Sequence, residues 1–244
     1  MSTNTEIFLN RLARLMPPGT QPRFRTVGEL MAWHGEQALI ESERITEQNQ
    51  RARFQKVLGR SGIQALHQSC TFDNYHAELP GQRKALEIAK RFARYFGKRF
   101  GGFIFSGGCG TGKNHLVAAI GNDLLRRGKS VLVVTVPDLM MRFRETYEDD
   151  KNTTEAELMN DLCSVDLLIL DDIGVQRGNV SESVVLFQII DRRLSNKKPV
   201  GMLTNLGQEA LTTLLTERIM DRMRMDGGVW VNFDWQSYRK QVKS

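Results

Sequence analysis

One stretch limits the fold of this chain more than any other: Phe103-Ile104-Phe105-Ser106-Gly107-Gly108-Cys109-Gly110-Thr111-Gly112-Lys113-Asn114-His115-Leu116. It reads as an apolar strand, a glycine-rich turn and the start of a helix, the order that a phosphate-binding loop requires. Glycines permit positive φ and bring backbone N–H groups against phosphate oxygens at the positive end of a helix. Lys113 adds a cation for the β and γ oxygens of a nucleoside triphosphate. An ordinary glycine-rich turn has no need of a lysine directly after Gly112. Gly107, Gly108, Cys109, Gly110, Thr111, Gly112, Lys113 and Asn114 are therefore expected to hold ATP. Asn114 stands where such loops usually place a Ser or Thr hydroxyl on Mg²⁺, and its amide oxygen can take that role.

A loop of this kind needs a sheet behind it. Beyond Pro80, helical stretches alternate with short apolar runs at 103–105, 131–134, 167–170, 200–203 and 229–233. Unbroken apolar runs separated by helices predict a parallel α/β sheet covered on both faces. Residues 1–75 differ: they are charged and interrupted. A short helix from Thr5 to Leu15 should stop at Met16-Pro17-Pro18-Gly19. A second should start near Thr26, with Val27, Leu30, Met31, Trp33 and Ala38 partly at helical spacing, and run into the charged stretch Glu41 to Arg60. The reading is a small helical domain with a linker over 1–75 and a nucleotide domain over 76–244.

A second acidic signature is Asp166-Leu167-Leu168-Ile169-Leu170-Asp171-Asp172, a buried strand ending in two carboxylates. Paired acids at a strand end are by themselves usually a solvated turn. About sixty residues downstream of a phosphate loop they form the Walker B pattern. Asp171 would then hold the Mg²⁺ shell, and Asp172 would polarise the water that attacks the γ-phosphate.

Charge and cysteine usage narrow the setting. With 34 Lys+Arg against 28 Asp+Glu the net charge is +6, which favours polyanionic partners without requiring them. Cys70, Cys109 and Cys163 lie far apart with no C-x-x-C pair, so neither zinc nor a disulfide framework is expected. The first ten residues lack a basic start and an apolar core, and no apolar run approaches the length of a membrane span. A cytoplasmic chain without membrane contact is the expectation.

The series Gly-Cys-Gly-Thr-Gly-Lys-Asn-His, Leu-Asp-Asp-Ile-Gly, Met-Leu-Thr-Asn and Asp-Trp-Gln-Ser-Tyr-Arg resembles the DnaC helicase-loader family over nearly the whole chain. The resemblance implies an AAA+ ATPase domain, related to the transposition helper IstB, behind a helicase-binding amino-terminal domain. It also implies ATP and Mg²⁺ as cofactors, a hexameric replicative helicase and single-stranded DNA as partners, and self-association around the helicase ring. Asn205 then matches the sensor that orients water beside Asp172. Arg222 matches the arginine finger given to a neighbouring subunit, with Arg218 as rival, and Arg239 matches the second sensor. Asp172 stands where the family carries Glu, one methylene longer. That bears on hydrolysis more than on nucleotide binding, and slow hydrolysis stimulated by assembly or DNA is expected.

Two stretches keep two readings each. After the second strand, where the initiator and loader branch carries an extra helix facing DNA, Asp138 to Tyr147 interleaves arginine with aromatic residues. Arg144 and Tyr147 are candidate contacts to single-stranded DNA, while packing alone explains Leu139, Met140 and Phe143. In the amino-terminal domain Leu30 and Trp33 lie three apart and either dock the helicase or pack a small core. The alternatives to a loader are an IstB-like transposition helper, a small-molecule P-loop kinase, and an adaptor that binds ATP and hardly hydrolyses it. Paired acids suit water activation better than phosphate transfer to a small acceptor.

Overall fold

The computed structural model describes residues 28–42, 67–147, 154–174 and 180–238, with Phe24, Thr26 and Ile63. The helix expected over Thr5 to Leu15, and Arg239, lie outside the described residues. The chain divides into two compact units, Met1–Arg53 and Phe54–Ser244.

In the first unit a helix, α1, spans 28–42. Leu30 and Trp33 are its half-buried apolar positions, and the Trp33 ring lies 5.4 Å from that of Phe24. Met31 and Leu39 are exposed instead.

The second unit alternates helices and strands. In chain order they are α2 (Pro80–Tyr95), β1 (Phe103–Gly107), α3 (Lys113–Arg126), β2 (Val131–Thr135), α4 (Val136–Glu145) and α5 (Glu155–Ser164). There follow β3 (Leu167–Ile173), α6 (Val180–Ser195), β4 (Val200–Thr204), α7 (Gln208–Leu215), α8 (Glu217–Arg224) and β5 (Val229–Phe233). All five strands run parallel in the order β2-β3-β4-β1-β5. Each expected apolar run is the body of one strand.

The period of two explains why those runs are unbroken. Phe103, Phe105, Leu167 and Ile169 pack on the face covered by α2 and α3. Ile104, Leu168 and Leu170 pack on the opposite face with α4 to α8. Both faces are covered, so neither parity of a strand needs to be polar.

Topology places the chemistry. Because β4 lies between β3 and β1, the residues leaving β3, β4 and β1 meet at the carboxyl edge of the sheet. Ligands of open α/β sheets bind in that position.

At the amino edge a guanidinium ties the turns together. Arg193 is fully buried and donates to the carbonyls of Leu162 (2.6 Å), Pro199 (2.9 Å), Val165 (3.1 Å) and Asp166 (3.3 Å). Burial pushes its pKa down to about 10. Four carbonyl acceptors compensate the desolvated charge.

Candidate nucleotide site

The phosphate loop leaves β1 at Gly107, whose φ is 149° and where a Cβ would stand 2.3 Å from the Phe233 carbonyl oxygen. Only glycine fits that approach. Gly112 closes the loop at φ 94° as the cap of α3, with the Tyr75 ring against its Cα. Thr111 Oγ1 donates to the Gly108 carbonyl at 2.8 Å and rigidifies the turn.

Lys113, the first residue of α3, is 7% exposed. Its ammonium donates to the carbonyls of Gly107 and Gly108 and to Asn205 Oδ1 at 3.1 Å. Burial lowers its pKa, against the pull of Cys109, Asp171 and Asp172. Asn205 follows β4 and also reaches Cys109 Sγ, at 3.7 Å.

Asp171 lies near the end of β3. It accepts from the Asn114 amide at 3.1 Å and from the Asp172 backbone N–H at 2.7 Å. Burial raises its pKa. Asp172 has φ 56°, an αL conformation in which Asp and Asn are favoured over other side chains.

Residues 109–114, Asp171, Asp172 and Asn205 line one cleft of about 670 Å³. It joins the phosphate loop, Asp171, Asp172 and Asn205, three segments far apart in sequence. Other walls were not evident from sequence. Tyr75 and His76 precede α2, and the His115 Nε2 donates to Asn74 Oδ1 at 2.9 Å and the Thr71 carbonyl at 3.1 Å. The segment 67–75, read from the sequence as linker, thereby packs on the loop. From the other end of the chain, Trp235 Nε1 donates to the Thr111 carbonyl (2.9 Å) and the Tyr238 N–H to that of Gly110 (3.0 Å). The Tyr238 ring stacks on His76 at 5.7 Å. Only the Asp-Trp-Gln-Ser-Tyr-Arg match drew attention to that region.

The chain belongs to the IstB-like ATP-binding protein family. The family profile matches residues 29–244. Over 243 residues the chain is 49% identical to the replicative helicase loader DnaC of Buchnera aphidicola subsp. Acyrthosiphon pisum, covering 100% of this chain and 98% of the relative. Identity of that extent places it in the replicative helicase loader family. Among solved structures, the DnaC helicase loader superposes with a TM-score of 0.61 at 21% identity, over 69% of this chain and 99% of that one, a likeness of fold. The AMPPCP-bound DnaA from Aquifex aeolicus gives 0.60 at 26% identity, over 73% of this chain. The chain spans about half of that DnaA, 55%. The fold is the AAA+ P-loop fold shared with these neighbours, and the family is one of ATP-binding proteins.

Arg144, Tyr147, Arg218 and Arg222 do not line the cleft. Arg222 on α8 pairs with Asp191 of α6 and donates to Ser195 Oγ at 2.9 Å, its side chain 27% exposed. Arg218 shares Asp191 at 3.6 Å and is 68% exposed. On α4, Val136, Leu139, Met140 and Phe143 are buried, so packing accounts for that side of the helix. Arg144 and Tyr147 are exposed, Arg144 pairing with Glu182 at 3.1 Å. No helix among the described residues is long and apolar enough to cross a membrane.

Proposed function

We propose that this chain is an ATP-driven loader of a hexameric replicative helicase. ATP-bound subunits gather on the cytoplasmic helicase, hold its ring open for single-stranded DNA, and leave as ATP is hydrolysed. The observation that carries the reading is an incompleteness. Lys113, Asp171, Asp172 and Asn205 converge in one cleft, while Arg218 and Arg222 do not line it and sit together on α8. An ATPase that takes its arginine from a neighbour works when subunits assemble, and the helicase ring supplies the template for assembly.

Within the cleft, the loop N–H groups and Lys113 hold the triphosphate and Asn205 positions a water beside Asp172. Asp172 accepts the proton of that water as it attacks the γ-phosphate. Asp171 and Asn114 suit Mg²⁺: a carboxylate and an amide, hard oxygen donors, sit together beside the phosphate loop. The ion, when bound, would neutralise charge on the β and γ oxygens. Residues 1–75, with Leu30 and Trp33, supply the helicase contact, and Arg144 and Tyr147 the DNA contact. Hydrolysis is slow until assembly or DNA stimulates it.

Co-purification with a hexameric helicase, with and without ATP, combined with ATP turnover with and without single-stranded DNA, tests the reading. Capture of the helicase and stimulated turnover are expected. Failure to bind any helicase, with capture of a transposase on duplex DNA instead, would overturn it in favour of a transposition helper.

A further inference from the structure

The turns that feed the strands of a parallel sheet all lie at one edge, and here that edge is rich in lysine and arginine. Before β1 stand Lys98 and Arg99; before β2, Arg126, Arg127 and Lys129. Before β4 stand Lys197 and Lys198, and before β5 Arg224. The same turns hold two carboxylates, Asp166 and Asp226. Asp123, near the end of α3, pairs with Arg126 and Arg127 and offsets part of their charge.

The contacts between these turns make the cations one surface. Lys198 pairs with Asp166 at 3.7 Å, and Asp166 accepts from the backbone of Ser130 at 2.8 Å. The Lys197 ammonium lies 5.5 Å from the centre of the Phe100 ring, and the Phe100 N–H donates to Asp226 at 2.6 Å. Arg99 lies against Gly227. Both carboxylates are thus engaged in holding the turns. Lys98, Arg99, Lys129, Lys197 and Arg224 have no ion-pair partner among the described residues, and all five are exposed. Two exposed aromatic side chains stand among them, Phe100 at 38% and Tyr95 at 44%.

We propose that this amino edge of the sheet is a second nucleic-acid surface, built for single-stranded DNA. Unpaired cations meet phosphates, and an aromatic ring offers a stacking platform to an unpaired base, which a duplex does not present. From β2 to β5 the edge is about 19 Å wide at the usual strand spacing, room for a few nucleotides. It lies a strand length, about 16 Å, from the ATP cleft at the opposite edge, and it includes no residue of α4. A strand held there runs along the outside of a subunit whose cleft and α4 remain free.

The test is fluorescence anisotropy of the full chain with labelled oligothymidylate across a salt series. A Lys98→Gln, Lys129→Gln, Lys197→Gln, Arg224→Gln variant keeps Arg144 and Tyr147, so failure of the α4 assignment would not affect the result. It should lose about tenfold or more in affinity, and its log-affinity slope against log salt should be shallower by about 3. ATP affinity and the thermal midpoint should stay as in the parent. Phe100→Leu, which keeps apolar packing but no aromatic face, should lose about fivefold. Unchanged affinity and slope in the charge variant would overturn the proposal. So would a loss there with none in Phe100→Leu, which marks diffuse attraction.

Discussion

The Lys113 ammonium donates to Asn205 Oδ1 at 3.1 Å, joining the first turn of α3 to the residue that follows β4. The two side chains share one bond but not one task. Lys113→Ala removes the cation that meets phosphate and should weaken ATP binding by at least about 2 kcal/mol, the scale of a charge-assisted hydrogen bond. It also removes a buried ammonium whose pKa burial already lowers, so the thermal midpoint should not fall. Asn205→Ala leaves Lys113 on the carbonyls of Gly107 and Gly108, so affinity should hold within a few-fold while turnover drops. A nucleotide titration beside a melting curve separates them, and unaltered affinity in Lys113→Ala would show that the phosphates sit elsewhere.

Asp172→Asn should keep the fold and ATP affinity and lose turnover. Asparagine tolerates the αL backbone that Asp172 adopts at φ 56°, and its amide cannot accept the proton of the attacking water. Turnover within a few-fold of the parent would remove Asp172 from the role of base.

Arg222 shares Asp191 with Arg218 inside its own chain, so a finger at this position must leave that pair to reach a neighbour. Arg222→Ala should lower hydrolysis only in assembled protein, on the scale of 10³ or more known for such fingers. Mixed with Lys113→Ala, it should regain part of the activity, because some shared interfaces then hold one intact Lys113 and one intact Arg222. Assembled mixtures that stay inactive would place Arg222 in its own subunit's structure and move attention to the more exposed Arg218.

How much the sequence disclosed follows from range. The phosphate loop is a local device: eight consecutive residues contain its whole mechanism, and the strand before it was equally plain. The five apolar runs told strand from helix because burial on both faces leaves a mark in each run separately. The walls at Tyr75, His76, Trp235 and Tyr238 left no such mark, since aromatic residues in irregular segments have no period and their partners lie across the fold. Arg193 was invisible for the same reason; nothing local distinguishes a buried arginine with four carbonyl acceptors from a solvated one on a helix.

The amino-terminal unit offers the last prediction. Trp33 on α1 is half-buried against Phe24, and so combines a ring contact within the unit with surface left for a partner. Tryptophan is the side chain most often dominant at interfaces, yet a unit this small also depends on each aromatic it can bury. Affinity and stability must be read together. Trp33→Ala should leave ATP turnover and the thermal midpoint near those of the parent and cost about 2 kcal/mol or more of helicase affinity. Met31→Ala, on the exposed side of the same helix, serves as comparison and should cost less. If helicase affinity is unaffected by Trp33→Ala, or the unit melts, the ring belongs to the unit's own core and the docking surface must be sought elsewhere between Thr5 and Arg60.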